Sequence, residues 1–566
     1  MSRLRATFTA VLLLAAPARP SAQADAADPV LATLGQELDR LAGAFGKTEV
    51  PAYFLSFQLT DNRALRVVAS FGALTHSGEE EERVLDVDLR VGDHGLDNTH
   101  RVRGAMGFDD LGDHLAGRQI PLDGDPAALR VALWRETERA YRKAVQRLAK
   151  VKANVRVKVE QEDRSGDFTR EAAESWQEPL APLAFDRAAW EARARRLTAP
   201  FAGHDEILEA SVEVTAEVET RRYVNTEGSR IQISSPLYRL NLRATAKAPD
   251  GMELPLHRSW MSFRPDGLPD DAALERDVVE MIRTLRALVK APLAEPYTGP
   301  AILSGRAAAV FFHEILGHRI EGQRQKDEEE AQTFAKRLNR RVLPAFLSVH
   351  SDPTLARSAG TELVGSYRYD DEGVKARPVT IVRNGVLKGF LMSRAPIEGF
   401  QRSNGHGRRQ QGYGAVARQS NLVVDSSRRV SRARLKRMLI ERARAAGKPW
   451  GLLFDDIQGG FTFTQRVLPN AFNVRPTVVY RVRLDGSEEL VRGVDLIGTP
   501  LIAFSKIVAT DDRPAVFNGV CGAESGWVPV SAVSPGLLIS QVEVQRKEKS
   551  QERPPLLPPP PAAEAR

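Results

Sequence analysis

The chain has 566 residues, of which 42% are hydrophobic and 27% charged, and a formal charge of +7. That length exceeds one ordinary core, so two or more domains are expected, and the composition is that of a soluble globular protein. So mild a charge on so long a chain gives no case for nucleic acid as a partner.

Residues 1–24 read as a secretory signal. Arg3 and Arg5 form the basic start, Ala6 to Ala16 the apolar stretch, and Ala22-Gln23-Ala24 a small-x-small cleavage site. The apolar run is far short of the ~20 residues that span a bilayer, and no later stretch reaches that length. The mature chain is therefore expected to start near Asp25, to have no transmembrane segment, and to be exported to the periplasm or the extracellular space. The N-terminal domain, 25–295, begins with an amphipathic helix over 29–44, with Leu31, Leu34, Leu38 and Leu41 at helical spacing. Strand-like runs follow at Tyr53–Thr60, Ala64–Ser70 and Val84–Val91, the first two joined by a turn at Asp61-Asn62. Helices are expected over Ala127–Val151, Asp186–Leu197 and Asp271–Leu288, and an antiparallel meander over 207–264 turns at Asn225-Thr226-Glu227-Gly228.

Glu295 to Pro300 marks a boundary, and 296–545 reads as a β-rich C-terminal domain, giving an α+β protein whose second domain carries the central motif helix. Ala301-Ile302-Leu303 is a short strand and Ser304 an N-cap. Glu328–Arg341 reads as a charged, solvated helix or lid. Asn384-Gly385 and Asp485-Gly486 are hairpin turns, Ser431–Ala446 is a helix stopped by Gly447, and the Pro-rich tail 546–566 reads as disordered.

The centre of the chain is Ala307 to His318, an apolar helix-forming run ending in His313-Glu314-Ile315-Leu316-Gly317-His318. This is H-E-x-x-x-H, one residue longer than the zinc-protease H-E-x-x-H. At about 100° per residue, positions five apart lie about 140° apart around a regular helix. The two imidazoles can share an ion only if the helix is widened into a π-type turn or broken at Gly317. The alternative is two unrelated histidines near a helix end. Cys521 is the single cysteine and cannot pair within the chain. An inert buried thiol, a link to another chain and a metal thiolate all remain open for it.

Further marks follow the motif: Tyr297-x-Gly299-Pro300, Asp371-Glu372-Gly373, Asn384 to Gly389, Asn404-Gly405 with Arg408, Val491 to Gly498, and Gly519-Val520-Cys521-Gly522 with Val528-Pro529-Val530. In this order they resemble the TldD/PmbA family of metallopeptidases, in its metal-bearing TldD branch. The resemblance implies His313, His318 and Cys521 as zinc ligands, one Zn2+ per active subunit, and Glu314 as general base. It also implies dimers, with a second copy or a sister subunit, that enclose a tunnel for unfolded peptides. His406 and Arg408 are candidate donors to an oxyanion or to substrate by their chemistry. Hydrogen bonding to a sheet edge would grip extended peptides without reading their sequence. The expected function is an exported zinc-dependent peptidase acting on unfolded or short peptides. The alternative is a non-catalytic peptide-binding or scaffold subunit with a structural metal.

Overall fold

Helix α1 (Pro29–Phe45) is capped by Asp28, whose carboxylate accepts from the amides of Val30 and Leu31. The computed structural model describes residues 28–102, 117–156, 163–327, 332–462 and 472–547, together with Glu330, Thr464 and Pro555. The expected signal segment and nearly all of the tail therefore lie outside the described residues.

After α1 comes a long hairpin, β1 (Ala52–Ser70) and β2 (Ala73–Val91). This corrects the turn expected at Asp61-Asn62. Both residues stay in the ladder, opposite Arg83 and Glu82, and Asp61 is ion-paired to Arg83 at 2.5 Å and to Arg222 at 2.6 Å. Cross-strand partners of opposite charge keep a polar pair extended. The chain turns instead at Phe71-Gly72, both at positive φ, as a two-residue hairpin requires. Helices α2 (Pro126–Arg156) and α3 (Arg187–Thr198) are followed by β3 (Ile207–Asn225), β4 (Arg230–Lys247), β5 (Glu253–Ser262) and α4 (Asp271–Lys290). The strands form one seven-stranded sheet in which β2, β1, β3, β4 and β5 are neighbours in that order. Leu274, Val278, Met281, Leu285 and Leu288 of α4 lie in the same core as the apolar faces of β3, β4 and β5.

From residue 297 on the chain is dominated by strands. In chain order they are β6 (Tyr297–Leu303), then helix α5 (Gly305–Ile315), β7 (Leu347–Ser351), β8 (Val379–Arg383), β9 (Asn421–Ser426) and helix α6 (Arg432–Ala445). Next come β10 (Trp450–Thr462), β11 (Phe472–Arg483), β12 (Val494–Gly498), β13 (Ile507–Asp511), β14 (Ala515–Ala523), β15 (Gly526–Ser534) and β16 (Leu537–Arg546). A six-stranded sheet has β8, β7, β9, β15 and β14 as successive neighbours. In the other, β6, β10, β11, β12 and β16 pair in turn, and β16 returns to pair with β6, so the ladder closes on itself. The chain is thus α+β with a β-rich C-terminal part. The charged stretch around 332–341 contains only a short 3-10 turn at Ala335–Arg337, so of the helix or lid expected over Glu328–Arg341 the helix is not formed there. Phe334 is fully buried just before it, and Gln332 and Asn339 sit at positive φ, which interrupts a helix on both sides. No described helix is long and apolar enough to cross a membrane.

Candidate metal centre

Helix α5 is apolar all round, and every residue of it except Arg306 is buried. Ser304 caps it, with Oγ accepting from the amide of Ala307 at 3.4 Å and donating to the carbonyl of Asp455 on β10. Phe311 and Phe312 pack with Phe472 and Phe504, the last stacked on Phe312 at 5.8 Å between ring centres. The helix contacts β6, β10 and β11 of one sheet and β14 and β15 of the other. That position carries its C-terminal end to the strand bearing Cys521.

Of the two routes open to the H-E-x-x-x-H spacing, the structure takes the break. The α-helix stops at Ile315, and His318 stands in a 3-10 turn, Gly317–Ile320. Arg319, almost fully buried, caps the end by donating to the carbonyls of Glu314 and Ile315 at 3.3 and 3.4 Å. A side chain at Gly317 would enter the space of Gln419, whose Nε2 donates to the carbonyl of His313 at 3.3 Å. The imidazoles of His313 and His318 end with centroids 5.1 Å apart and planes crossed at 73°.

Cys521 lies on β14, opposite Val528, and its Sγ is 3.3 Å from His318 Nε2 across 203 positions of chain. Ligand atoms of His313, His318 and Cys521 all fall within 4.8 Å of one another, and all three residues are buried. Ligands at 2.0–2.3 Å on a tetrahedral zinc lie roughly 3.5 Å apart, so the cluster needs about an ångström of contraction at most. His313 Nδ1 is buried without a hydrogen-bond partner. The set of two imidazoles and one thiolate, leaving a fourth position open, fits a catalytic zinc site. Burial alone would push the Cys521 thiol up, but the facing imidazoles of His318 and His313 bring it well below its ordinary value. Burial likewise opposes charge on His318, and the Cys521 thiolate and Glu321 override it, raising its pKa well above the usual. A thiolate is the anionic form in which a cysteine can hold such a metal.

Glu314 is buried beside His313, with Oε2 4.0 Å from His318 Nε2. His406 and Arg408 are also buried but are engaged elsewhere. His406 Nε2 faces the hydroxyls of Ser351 and Ser420 at 3.2 Å each, and its Nδ1 faces Asn404 Oδ1 at 3.0 Å. Arg408 Nη1 donates to the carbonyls of Gln419 and Pro529 at 2.7 and 2.8 Å, and its guanidinium lies over Tyr367. Both brace the loop that supports Gln419 and β15. His350, an isolated residue in the sequence, pairs with Asp425 at 3.4 Å.

Three residues of the site were not singled out by the sequence: Glu321, Arg418 and Gln419. Glu321 is fully buried, with Oε1 3.5 Å from His318 Nδ1 and Oε2 accepting from Arg324 Nε at 2.8 Å. Burial would raise its pKa, but Arg324, His318 and Arg418 bring it down to about 2. Its spacing of three from His318 is a readable signal. Arg418 and Gln419 carry no local one.

Residues 296–546 match the family model described as PmbA/TldA metallopeptidase C-terminal domain. A metalloprotease of Archaeoglobus fulgidus is 28% identical over 266 residues, 47% of this chain and 57% of that one. A zinc metalloprotease TldD homolog of Saccharolobus solfataricus is 23% identical over 253 residues, 43% of this chain and 51% of that one. The match thus spans little more than half the length of these two relatives. In fold, TldE from Thermococcus kodakarensis superposes with a TM-score of 0.58 at 13% identity, covering 91% of this chain and all of that one. Over residues 296–546 the chain is thus similar to the TldD/PmbA family, on the matched family model and these relatives.

Proposed function

We propose that this protein is a zinc-dependent peptidase of the TldD branch, in which His313, His318 and Cys521 bind the metal and Glu314 is the general base. The observation that carries this reading is the convergence of both imidazoles and the lone thiol on one buried point. Zinc bound there supplies a Lewis acid that activates water and polarises a peptide carbonyl. Glu314, adjoining the first ligand on the same helix end, takes a proton from the attacking water and delivers it to the leaving amine. The surrounding apolar helix and sheet faces exclude bulk water, which strengthens each of these interactions.

The substrates we infer are unfolded or short peptides. In support, Cys521 lies on β14, which ends its sheet and has β15 as its one paired neighbour among the described residues. Such an edge accepts an extended backbone, and folded proteins rarely offer one. We infer further that the protein acts outside the cytoplasm, from its signal-like first 24 residues, and works as a dimer with a second copy or a TldE-like sister subunit. The test is Glu314→Gln. Stoichiometric zinc with at least a hundredfold loss of turnover on an unfolded polypeptide is expected. Undiminished turnover would refute the assignment of the base, and equal cleavage of native and unfolded forms of one protein would refute the substrate class.

A further inference from the structure

Between the two ligand-bearing segments lies a pair of fully buried charged residues. Glu321 Oε1 sits 3.5 Å from His318 Nδ1 and 3.5 Å from Arg418 Nε. Neither residue has measurable solvent exposure in its side chain. Arg418 spends the rest of its guanidinium on the hairpin of β14 and β15. Its Nη2 donates to the carbonyl of Cys521 at 2.8 Å, and its Nη1 to Ser525 Oγ at 2.9 Å and the carbonyl of Gly526 at 3.1 Å. One guanidinium thus joins the backbone of the sulfur ligand to the carboxylate facing the second imidazole. The other oxygen of Glu321 is fixed by Arg324 Nε, and Arg324 is in turn paired with Glu330 at 2.7 Å and Glu524 at 2.8 Å.

We propose that Glu321 and Arg418 are positioning residues of the metal centre, which set the tautomer of His318 and the place of Cys521 together. This rests on the metal-binding reading given above. An ionised carboxylate offers only acceptors, and Glu321 Oε1, buried without a hydrogen-bond partner of its own, is the acceptor that a proton on Nδ1 would meet. A cation that displaces the other proton then takes Nε2, the atom turned toward Cys521 Sγ. Removing Arg418 would free the Cys521 carbonyl and leave a buried carboxylate short of one cation. The substitution that discriminates is Glu321→Gln. An amide has one acceptor, and the closer contact with Arg324 claims it. Its NH2 then faces Nδ1, which must become the acceptor, and the proton moves to Nε2, where it blocks ligation. The isosteric change is therefore expected to be as harmful as truncation.

The experiment is a chelator-competition titration of the whole protein with zinc, repeated with cobalt to read the thiolate-to-cobalt absorption. Glu321→Gln and Glu321→Ala are each expected to weaken zinc at least tenfold and to dim that absorption. Wild-type zinc affinity in Glu321→Gln overturns the proposal. His318→Ala separates the two levels. Full zinc retention there sinks the metal centre itself, whereas zinc lost there but kept in Glu321→Gln sinks only the positioning role. A readout on the unaltered, zinc-loaded protein guards against variants that fail to fold: long-range proton–nitrogen spectra should show His318 protonated at Nδ1, and a proton at Nε2 refutes the inference.

Discussion

Gly317 is where the helix break and the metal centre meet, and adding one methyl there tests both. A Cβ on Gly317 would lie 2.5 Å from Gln419 Nε2 and closer still to the rest of that amide. The backbone itself is unstrained, since Gly317 is absent from the glycines at positive φ. All the cost therefore falls on Gln419, which is 1% exposed and has no room to retreat. Moving it breaks its bond to the carbonyl of His313, leaving a buried amide unsatisfied at about 1–3 kcal/mol. The overpacking adds about 1–3 kcal/mol, and the smaller conformational freedom of alanine in the unfolded chain returns roughly 0.4–1 kcal/mol. Gly317→Ala is thus expected to destabilise by about 1–6 kcal/mol, and to weaken zinc because His313 and His318 flank the disturbed turn. Truncating the neighbour removes the collision. In a double-mutant cycle with Gln419→Ala, measured by urea denaturation, the two changes should couple by at least about 1 kcal/mol, the pair costing less than the singles together. Strict additivity would show that Gln419 is not what requires glycine at 317, and the account of the break would fail.

The remaining predictions concern the thiolate and a buried histidine. Cys521→Ala should abolish stoichiometric zinc, and with it the stabilisation that zinc gives the wild type, about 4 kcal/mol at a thousandfold excess over Kd. Thermal unfolding with and without chelator reads this, and an undiminished zinc-dependent shift would exclude Cys521 as a ligand. His406 is brought down to about 3 mainly by burial, with Arg408 adding to the effect against the opposing hydrogen bond that its ring donates to Asn404. In the unfolded chain a histidine takes its proton near pH 6.5, so between pH 6.5 and about 3 the unfolded state binds the extra proton. Stability should therefore fall on acidification by about 1.4 kcal/mol per pH unit from this residue. His406→Gln should flatten the slope between pH 6 and 5 by one proton, and an unchanged slope would contradict the buried neutral ring.

Much of the architecture was legible because it is local. The cap at Ser304, the helix starts at Ser431 and Asp186 and the Asn384-Gly385 turn are all where the side-chain chemistry requires them. The error at Asp61-Asn62 has a non-local cause. A polar pair looks like a turn until its partners are known, and those partners, Arg83 and Arg222, come from two other strands.

The site divides along the same line. The proposed ligand set was readable only through a resemblance, because the spacing of His313 and His318 allows two backbone solutions and Cys521 is 203 positions away. What decides between those solutions is Gln419, a residue from the segment just before β9 whose amide occupies the space beside Gly317. Glu321 could be found by its spacing from His318, yet its meaning depends on Arg418, which links it to the carbonyl of Cys521. A short motif thus states which atoms are available, while the tertiary fold decides which nitrogen faces the sulfur. The motif's extra residue relative to H-E-x-x-H is consistent with this division. It moves His318 out of the regular helix into a 3-10 turn, where Glu321 can reach Nδ1 from one side and Cys521 can approach Nε2 from the other. A histidine kept on the helix face, as in the shorter motif, would be oriented by the helix itself. Here its orientation falls to two buried charges, which is why their removal should be felt first in metal affinity.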